Sequence, residues 1–147
     1  MKLSTAQIGK CGETLVQYRL LREGIESAPM MTDAGIDLVA YLPGSKRAIT
    51  IQVKTNEAPK PGGGKGPLAL DWWVPKDSPA EMVALVDLQS ESVWLVSHEE
   101  LTDITTQKNT DRLHPYFYTE DGKRISGKHI SDYAHLLLSE QIKRLLK

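Results

Sequence analysis

Gly35-Ile36-Asp37-Leu38-Val39-Ala40-Tyr41-Leu42-Pro43-Gly44-Ser45-Lys46-Arg47-Ala48-Ile49-Thr50-Ile51-Gln52-Val53-Lys54 is the stretch on which the fold turns. Two runs rich in β-branched and apolar residues, 36–42 and 47–54, flank the turn formers Pro43-Gly44-Ser45-Lys46, which predicts a β-hairpin. A symmetric loop sets Leu42 against Arg47 and, further down the ladder, Asp37 against Gln52. Facing residues share a sheet face, as do residues two apart on one strand, so Asp37, Gln52 and Lys54 are expected on one face. Ile36, Leu38, Ile51 and Val53 take the other and supply core.

Upstream, residues 5–23 have helical periodicity, with Ser4 or Thr5 as N-cap and Gly24 as stop. Ile8, Cys11, Leu15 and Tyr18 form one apolar stripe. A second stripe, Ala6, Gly9, Glu13, Val16 and Leu20, sets Glu13 among small and apolar neighbours. An extended piece over 26–31 and a turn over 32–35 lead into the hairpin.

Downstream, residues 56–67 hold three prolines and four glycines, a composition that predicts a mobile surface loop. A strand carrying Trp72 and Trp73 is expected over 68–74, a capped turn over 78–81, and strands over 82–88 and 92–96. Ser97-His98-Glu99-Glu100 is a capping-box pattern opening a short helix to Ile104. Loop is expected over 107–111, a short strand over 116–119, and a terminal helix over 131–146 with Ala134, Leu138, Ile142 and Leu145 on one face.

The chain has 147 residues, 40% hydrophobic and 25% charged, which suits one globular domain with a sizeable core. No apolar run approaches the roughly 18 residues of a membrane span. The N-terminus lacks the apolar region of a signal peptide, so a cytoplasmic location without membrane association is expected. A single cysteine, Cys11, excludes an internal disulfide and a cysteine metal cage, and it is expected to pack. Net charge is -1, which argues against coating nucleic acid by bulk electrostatics. The charge is uneven, however: ten Lys and Arg stand against seven Asp and Glu in residues 1–76.

Two acids, one on a helix and one at the start of a strand, with Gln-x-Lys on the partner strand, are the groups that hold a hard divalent cation beside an ammonium. At these residues the chain resembles the PD-(D/E)xK nuclease superfamily, which includes restriction enzymes, Holliday-junction resolvases and intron-encoded homing endonucleases. The resemblance rests on Gly12-Glu13 in a helix, Gly35-Ile36-Asp37 at the start of one strand and Ile51-Gln52-Val53-Lys54-Thr55 at the end of the next. It implies an α/β fold, a restriction-endonuclease-like mixed β-sheet flanked by helices, as one domain with a core over about 5–104 and a C-terminal extension over 105–147.

The same resemblance implies that Asp37 binds Mg²⁺ or Mn²⁺ directly, with Gln52 and the main-chain carbonyl of Val53 as further ligands and Glu13 acting through metal-bound water. Lys54 would position the attacking water and steady the charge on phosphate. Gln52 is neutral where the superfamily commonly has an acid. After the third strand the superfamily places a substantial helix, and this chain offers a Gly/Pro loop and two tryptophans instead.

The expected function is metal-dependent cleavage of duplex or branched DNA, by a homodimer or higher homo-oligomer when both strands are cut. The alternatives are a nucleic-acid-binding domain of the same fold with weak or no catalysis, or a small partner-binding protein using the Trp72-Trp73 region. Lys60 and Lys65 are candidate phosphate contacts. Gly62-Gly63-Gly64-Lys65 is no nucleotide-binding loop, because Pro59 stands where its first glycine belongs and Gly66 replaces its hydroxyl residue. His98, His114, His129 and His135 lack the spacing of a zinc site and are expected to be surface or structural residues.

Overall fold

The computed structural model describes every residue except 33, 110 and 122–128, and of 106–108 only the backbone. The turn expected over 32–35 therefore lies partly outside the described residues. The chain opens with α1 (Thr5–Arg22). Ser4 caps it reciprocally, its Oγ accepting from the Gln7 N–H at 3.2 Å while its own N–H donates to Gln7 Oε1 at 2.8 Å. Past its end Gly24 adopts φ +78°, the left-handed conformation that ends helices at glycine with little strain.

Strands β1 (Glu26–Pro29), β2 (Leu38–Tyr41) and β3 (Ala48–Asn56) follow. The β2–β3 register pairs Leu38 with Ile51 and Tyr41 with Ala48, the alignment that the four-residue loop predicts. Next come β4 (Lys60–Pro61), a 3₁₀ turn (Gly62–Gly64), β5 (Leu68–Asp71), β6 (Val74–Pro75), β7 (Met82–Asp87) and β8 (Ser92–Ser97). The chain ends with α2 (His98–Ile104), β9 (Thr105–Lys108), β10 (Arg112–Tyr118), a 3₁₀ segment (Ile130–Leu136) and α3 (Leu138–Leu145).

The main sheet has the order β1-β2-β3-β7-β8. Its one parallel pair is β3 with β7, in register from Ile51 against Met82 to Asn56 against Asp87. A parallel pair needs a crossover, usually a helix. Here the crossover over 57–81 is built from β4, β5 and β6, which pair with β10 into a second sheet of order β4-β5-β10-β6, with β9 also on β10. Every residue of β7 is buried, as expected of a strand covered on both faces.

Two cores result. Val16, Leu20, Leu38, Ile51, Leu95, Leu138 and Ile142 fill the space between the main sheet and α1 with α3. On the opposite face Leu70, Trp72, Leu85, Trp94, Leu101 and Phe117 join the main sheet to the second sheet and α2. The protein is thus an α/β fold in which a mixed sheet has helices on one face and a second sheet with a short helix on the other. Among the described residues no helix is long and apolar enough to cross a membrane.

Several local expectations change on folding. The face of α1 turned to the sheet carries Gly12, Val16 and Leu20, whereas Tyr18 is 50% exposed and Cys11 is exposed rather than packed. The buried face takes Val16 and Leu20 from the second stripe and adds Gly12, which lies in neither, because its missing side chain allows a close approach to Thr55 on β3. Residues 78–81 form no helical turn. The chain bends earlier, with the Ser78 N–H donating to the Pro75 carbonyl at 3.3 Å, because Pro79 packs against Gly35. The strand expected over 116–119 begins at Arg112, and residues 105–108, which reach into the loop expected over 107–111, form its partner. The terminal helix is interrupted at Leu137, whose ψ of 143° is extended.

Candidate active site at the mouth of the hairpin

Regular pairing of β2 with β3 ends at Leu38 and Ile51. One residue further, the Asp37 N–H donates to the Ile51 carbonyl at 2.9 Å, so residues 37 and 38 both address Ile51. That doubling frees the Asp37 side chain from the sheet's alternation. Its Oδ2 accepts from the Val53 N–H at 2.7 Å. In a strand the N–H and C=O of one residue leave by the same edge, so the Val53 carbonyl emerges on the edge that holds the Asp37 carboxylate. Two oxygen donors, one charged and one neutral, therefore lie side by side beyond the end of β2.

Along β3 the side chains alternate. Ile49, Ile51 and Val53 enter the core under α1, and Thr55 on the same side sits against Gly12 with its Oγ1 buried and without a hydrogen-bond partner. Gln52 and Lys54 share the opposite side. Gln52 is 7% exposed, yet its Oε1 has no hydrogen-bond partner. A buried amide oxygen left unpaired costs on the order of 1–3 kcal/mol, so its retention asks for a ligand. Lys54 is half-buried, and its ammonium makes no hydrogen bond or ion pair among the described residues.

The segment from Asp71 to Glu81 runs alongside. It starts at Asn56, whose Nδ2 donates to the Asp71 carbonyl at 2.5 Å, and ends at Thr50, whose Oγ1 accepts from the Glu81 N–H at 2.9 Å. Its two ends are thus fixed to β3 in antiparallel order, one two residues beyond Lys54 and the other two residues before Gln52. Ser78 on this segment holds a third buried, unpartnered oxygen, its Oγ. Nothing in the local sequence marks Ser78, because its burial depends on Pro79 docking at Gly35.

Glu13 reaches the site from α1. A cleft of about 200 Å³ is lined by Lys10, Glu13, Thr32, Ile36 and Asp37, with Met30 and Met31 at its rim. Glu13 and Asp37 thus share one cleft, which Gln52 and Lys54 do not line. Beside the two acids stands Lys10, which none of the sequence motifs singles out. Its Nζ donates to Glu13 Oε2 at 2.7 Å. The bond to Glu13 and that carboxylate's charge, with a smaller contribution from Asp37, hold the Lys10 pKa above its ordinary value. Its spacing of three residues from Glu13 was the available signal.

Among the described residues no three His, Cys, Asp or Glu side chains gather as a metal cage. The Asp37 and Glu13 carboxylates and the Val53 carbonyl make an all-oxygen group suited to a hard cation such as Mg²⁺ or Mn²⁺ and unsuited to zinc, with the Gln52 amide oxygen on β3 outside the cleft that the two acids share. The orphaned Gln52 oxygen fits such an ion. Lys60 stands elsewhere, lining a separate cleft with Leu3, Glu57, Ala58, Leu88 and Gln89, and Lys65 is exposed in the turn after β4. Of the histidines, His114 and His129 are buried, and His98 Nε2 lies 2.7 Å from the Ala80 carbonyl.

No family model matches the chain, and no curated protein is similar to it in sequence. Among solved structures it is similar to the bacterial homing endonuclease I-Ssp6803I, with a TM-score of 0.66 at 15% identity over 99% of this chain and 93% of that one. It is also similar to Hjc, a Holliday junction resolvase from the archaeal hyperthermophile Archaeoglobus fulgidus, with a TM-score of 0.56 at 14% identity over 92% of this chain and 95% of that one. The protein therefore has the restriction-endonuclease-like fold of the PD-(D/E)xK nucleases. At these identities the likeness is one of fold.

Proposed function

We propose that the protein is an Mg²⁺- or Mn²⁺-dependent endodeoxyribonuclease acting on duplex or branched DNA. The observation that carries this reading is the buried, unpartnered Gln52 oxygen on β3, next in sequence to Val53, whose N–H holds Asp37, and on the same side of the strand as Lys54. Both structural neighbours being nucleases supports it at the level of fold.

In this reading Asp37, the Val53 carbonyl and Gln52 would hold the ion, and Glu13 would act through one of its waters. The bound ion supplies Lewis acidity and a water of lowered pKa. Lys54 places a positive charge beside the phosphate oxygens, where negative charge grows as the water oxygen attacks phosphorus. Val53 fixes the Asp37 carboxylate, so the ligand is oriented before substrate arrives. One such site cuts one strand, and a symmetric homo-oligomer would supply the second cut.

The test combines cleavage with binding. Purified protein is offered supercoiled plasmid, linear duplex and a four-way junction with Mg²⁺ or Mn²⁺, and Mn²⁺ binding is followed by calorimetry for wild type and Asp37→Ala. Metal-dependent nicking that Asp37→Ala abolishes is expected. DNA binding without cleavage would assign the protein to the non-catalytic alternative. No cleavage, together with unchanged Mn²⁺ binding by Asp37→Ala, would overturn the nuclease reading.

A further inference from the structure

Trp73 is 39% exposed, whereas Trp72 and Trp94 are buried. Its outward ring is built into a stack. Beneath it lies His114, with ring centroids 3.9 Å apart and planes 10° from parallel. His114 is 7% exposed, and its Nε2 meets Asp71 Oδ2 at 2.7 Å. Above the indole lies Arg112, its Cζ 4.9 Å from the ring centroid. Asp71 and Trp73 stand two apart on one strand path, and Arg112 and His114 two apart on β10, so alternation brings all four to the outer face of the second sheet.

The stack holds Arg112 still. The Asn109 side chain accepts from the Arg112 N–H at 2.7 Å and from the Asp111 N–H at 3.0 Å, fixing the backbone at the tip of the β9–β10 hairpin. A guanidinium laid on an aromatic face keeps its N–H donors in the plane of the stack, pointing outward. Those donors make no hydrogen bond or ion pair among the described residues. Such a cation loses little conformational freedom when an anion arrives.

Position decides which anion. Trp73 lies on the segment whose ends are fixed to β3 at Asn56, two residues beyond Lys54, and at Thr50, two residues before Gln52. Lys76 joins the same rim, its N–H donating to the Asp111 carbonyl at 2.9 Å. Asp77 and Asp111 are exposed here too, so this is no diffuse basic patch, and the case rests on one stacked planar donor, Arg112, with Lys76 on the same rim. Phosphates spaced along a backbone match that arrangement.

We propose that Arg112, stacked on Trp73, is a phosphate clamp that grips the backbone of the DNA duplex whose cut site lies at Lys54. Trp73, His114 and Asp71 act as positioning residues for it. This rests on the proposed nuclease reading and names a DNA contact lying outside the metal site. A duplex strand crossing the mouth of the hairpin would meet Lys54 at the scissile phosphate and Arg112 at a neighbouring one.

The experiment measures binding of a fluorescein-labelled mixed-sequence duplex of about 30 base pairs to the full chain in EDTA, over about 50–200 mM KCl. Arg112→Ala is expected to weaken binding roughly tenfold and to lower the steepness of the salt dependence by about one phosphate contact. Arg112→Lys should keep the steepness but lose affinity, because an ammonium offers no planar fork. Trp73→Ala should likewise keep the steepness and bind several-fold more weakly, with Trp73→Phe restoring most of the loss. Lys143→Ala, on α3, is the control for an ordinary surface charge, and thermal melts establish that each variant is folded. If wild type binds the duplex and folded Arg112→Ala binds it with the same affinity and salt dependence, the clamp is wrong and the nuclease reading stands. If wild type binds neither this duplex nor a four-way junction, both fall.

Discussion

At the scale of the residue, the site is a contest between charges. Lys10 sits against Glu13 and within the field of Asp37, so a cation entering that cleft meets a fixed positive charge. Lys10→Met is expected to tighten Mn²⁺ binding by removing the repulsion, read by calorimetry. Lys54→Ala should abolish cleavage while Mn²⁺ binding stays the same or strengthens slightly, and Gln52→Glu should strengthen it by adding a negative charge. Asp37→Asn keeps an oxygen that can accept from Val53 and lacks the charge, so it should lose metal binding and cleavage with little change in unfolding midpoint. The ladder from Tyr41 against Ala48 to Leu38 against Ile51 was legible because a four-residue loop sets the register, but Asp37 lies on Ile51 and not opposite Gln52 as that register expects. The bond from Val53 to Asp37 was not, because it depends on the doubling of residues 37 and 38 against Ile51, which no local pattern announces.

At the scale of the element, α1 and α3 are held by specific close contacts. A Cβ at Gly12 would collide with the Thr55 side chain, so Gly12→Ala should push α1 off β3 and cost about 1–3 kcal/mol in denaturant unfolding. Because Glu13 is the next residue, the same change should also weaken metal binding. At the other end, Glu100 accepts from the Ser97 N–H at 3.0 Å and from Gln141 Nε2 at 2.9 and 2.8 Å, tying α2 to α3. Burial pushes the Glu100 carboxyl up, but the bonds from Ser97 and Gln141 with the charge of Arg144 outweigh it and hold the group below its ordinary value. A depressed carboxyl contributes stability above the unfolded-state pKa and loses it as pH falls through the folded one. Urea midpoints should therefore decline on acidification below about pH 4.5, and less steeply in Glu100→Gln. The Gly/Pro composition of 57–67 identified a connection that is no interior strand. It did not reveal β4, which gains its partner only when β5 arrives. If this connection touches DNA, its amides should be protected from hydrogen exchange on duplex binding, and unchanged exchange would make it a linker.

At the scale of the whole molecule, the unusual feature is a parallel β3–β7 pair crossed over by a sheet. Trp72 secures the arrangement, its Nε1 donating to the Val86 carbonyl at 3.2 Å, with Phe117 edge-on to Trp72 and Trp94 at centroid distances of 5.4 and 5.5 Å. Phe117→Ala should cost about 3–5 kcal/mol and detach the second sheet. Under the clamp proposal it should then weaken duplex binding more than metal binding, which calorimetry and anisotropy separate. Cutting both strands in one encounter predicts a symmetric oligomer, and light scattering that returns the mass of one chain in the presence of DNA and Ca²⁺ would leave single-strand nicking as the activity.

Near-neighbour chemistry was enough to locate α1, its Ser4 cap, the hairpin and its register, the capped start of α2 and the order of acid, acid and Gln-x-Lys along the chain. Each depends on residues a few positions apart, whose turn, cap and alternation preferences act before the chain has collapsed. Tertiary packing decided the rest. The face of α1 that meets β3 joins Val16 and Leu20 of one stripe to Gly12, which lies in neither, and the fit of Gly12 against Thr55 selects it. The crossover took the form of a sheet because its short strands find their hydrogen-bond partner in β10, some forty residues away. Lys10 came to stand beside two acids, and Arg112 on Trp73, because folding joined elements distant in sequence, and local preference carries no information about such distances.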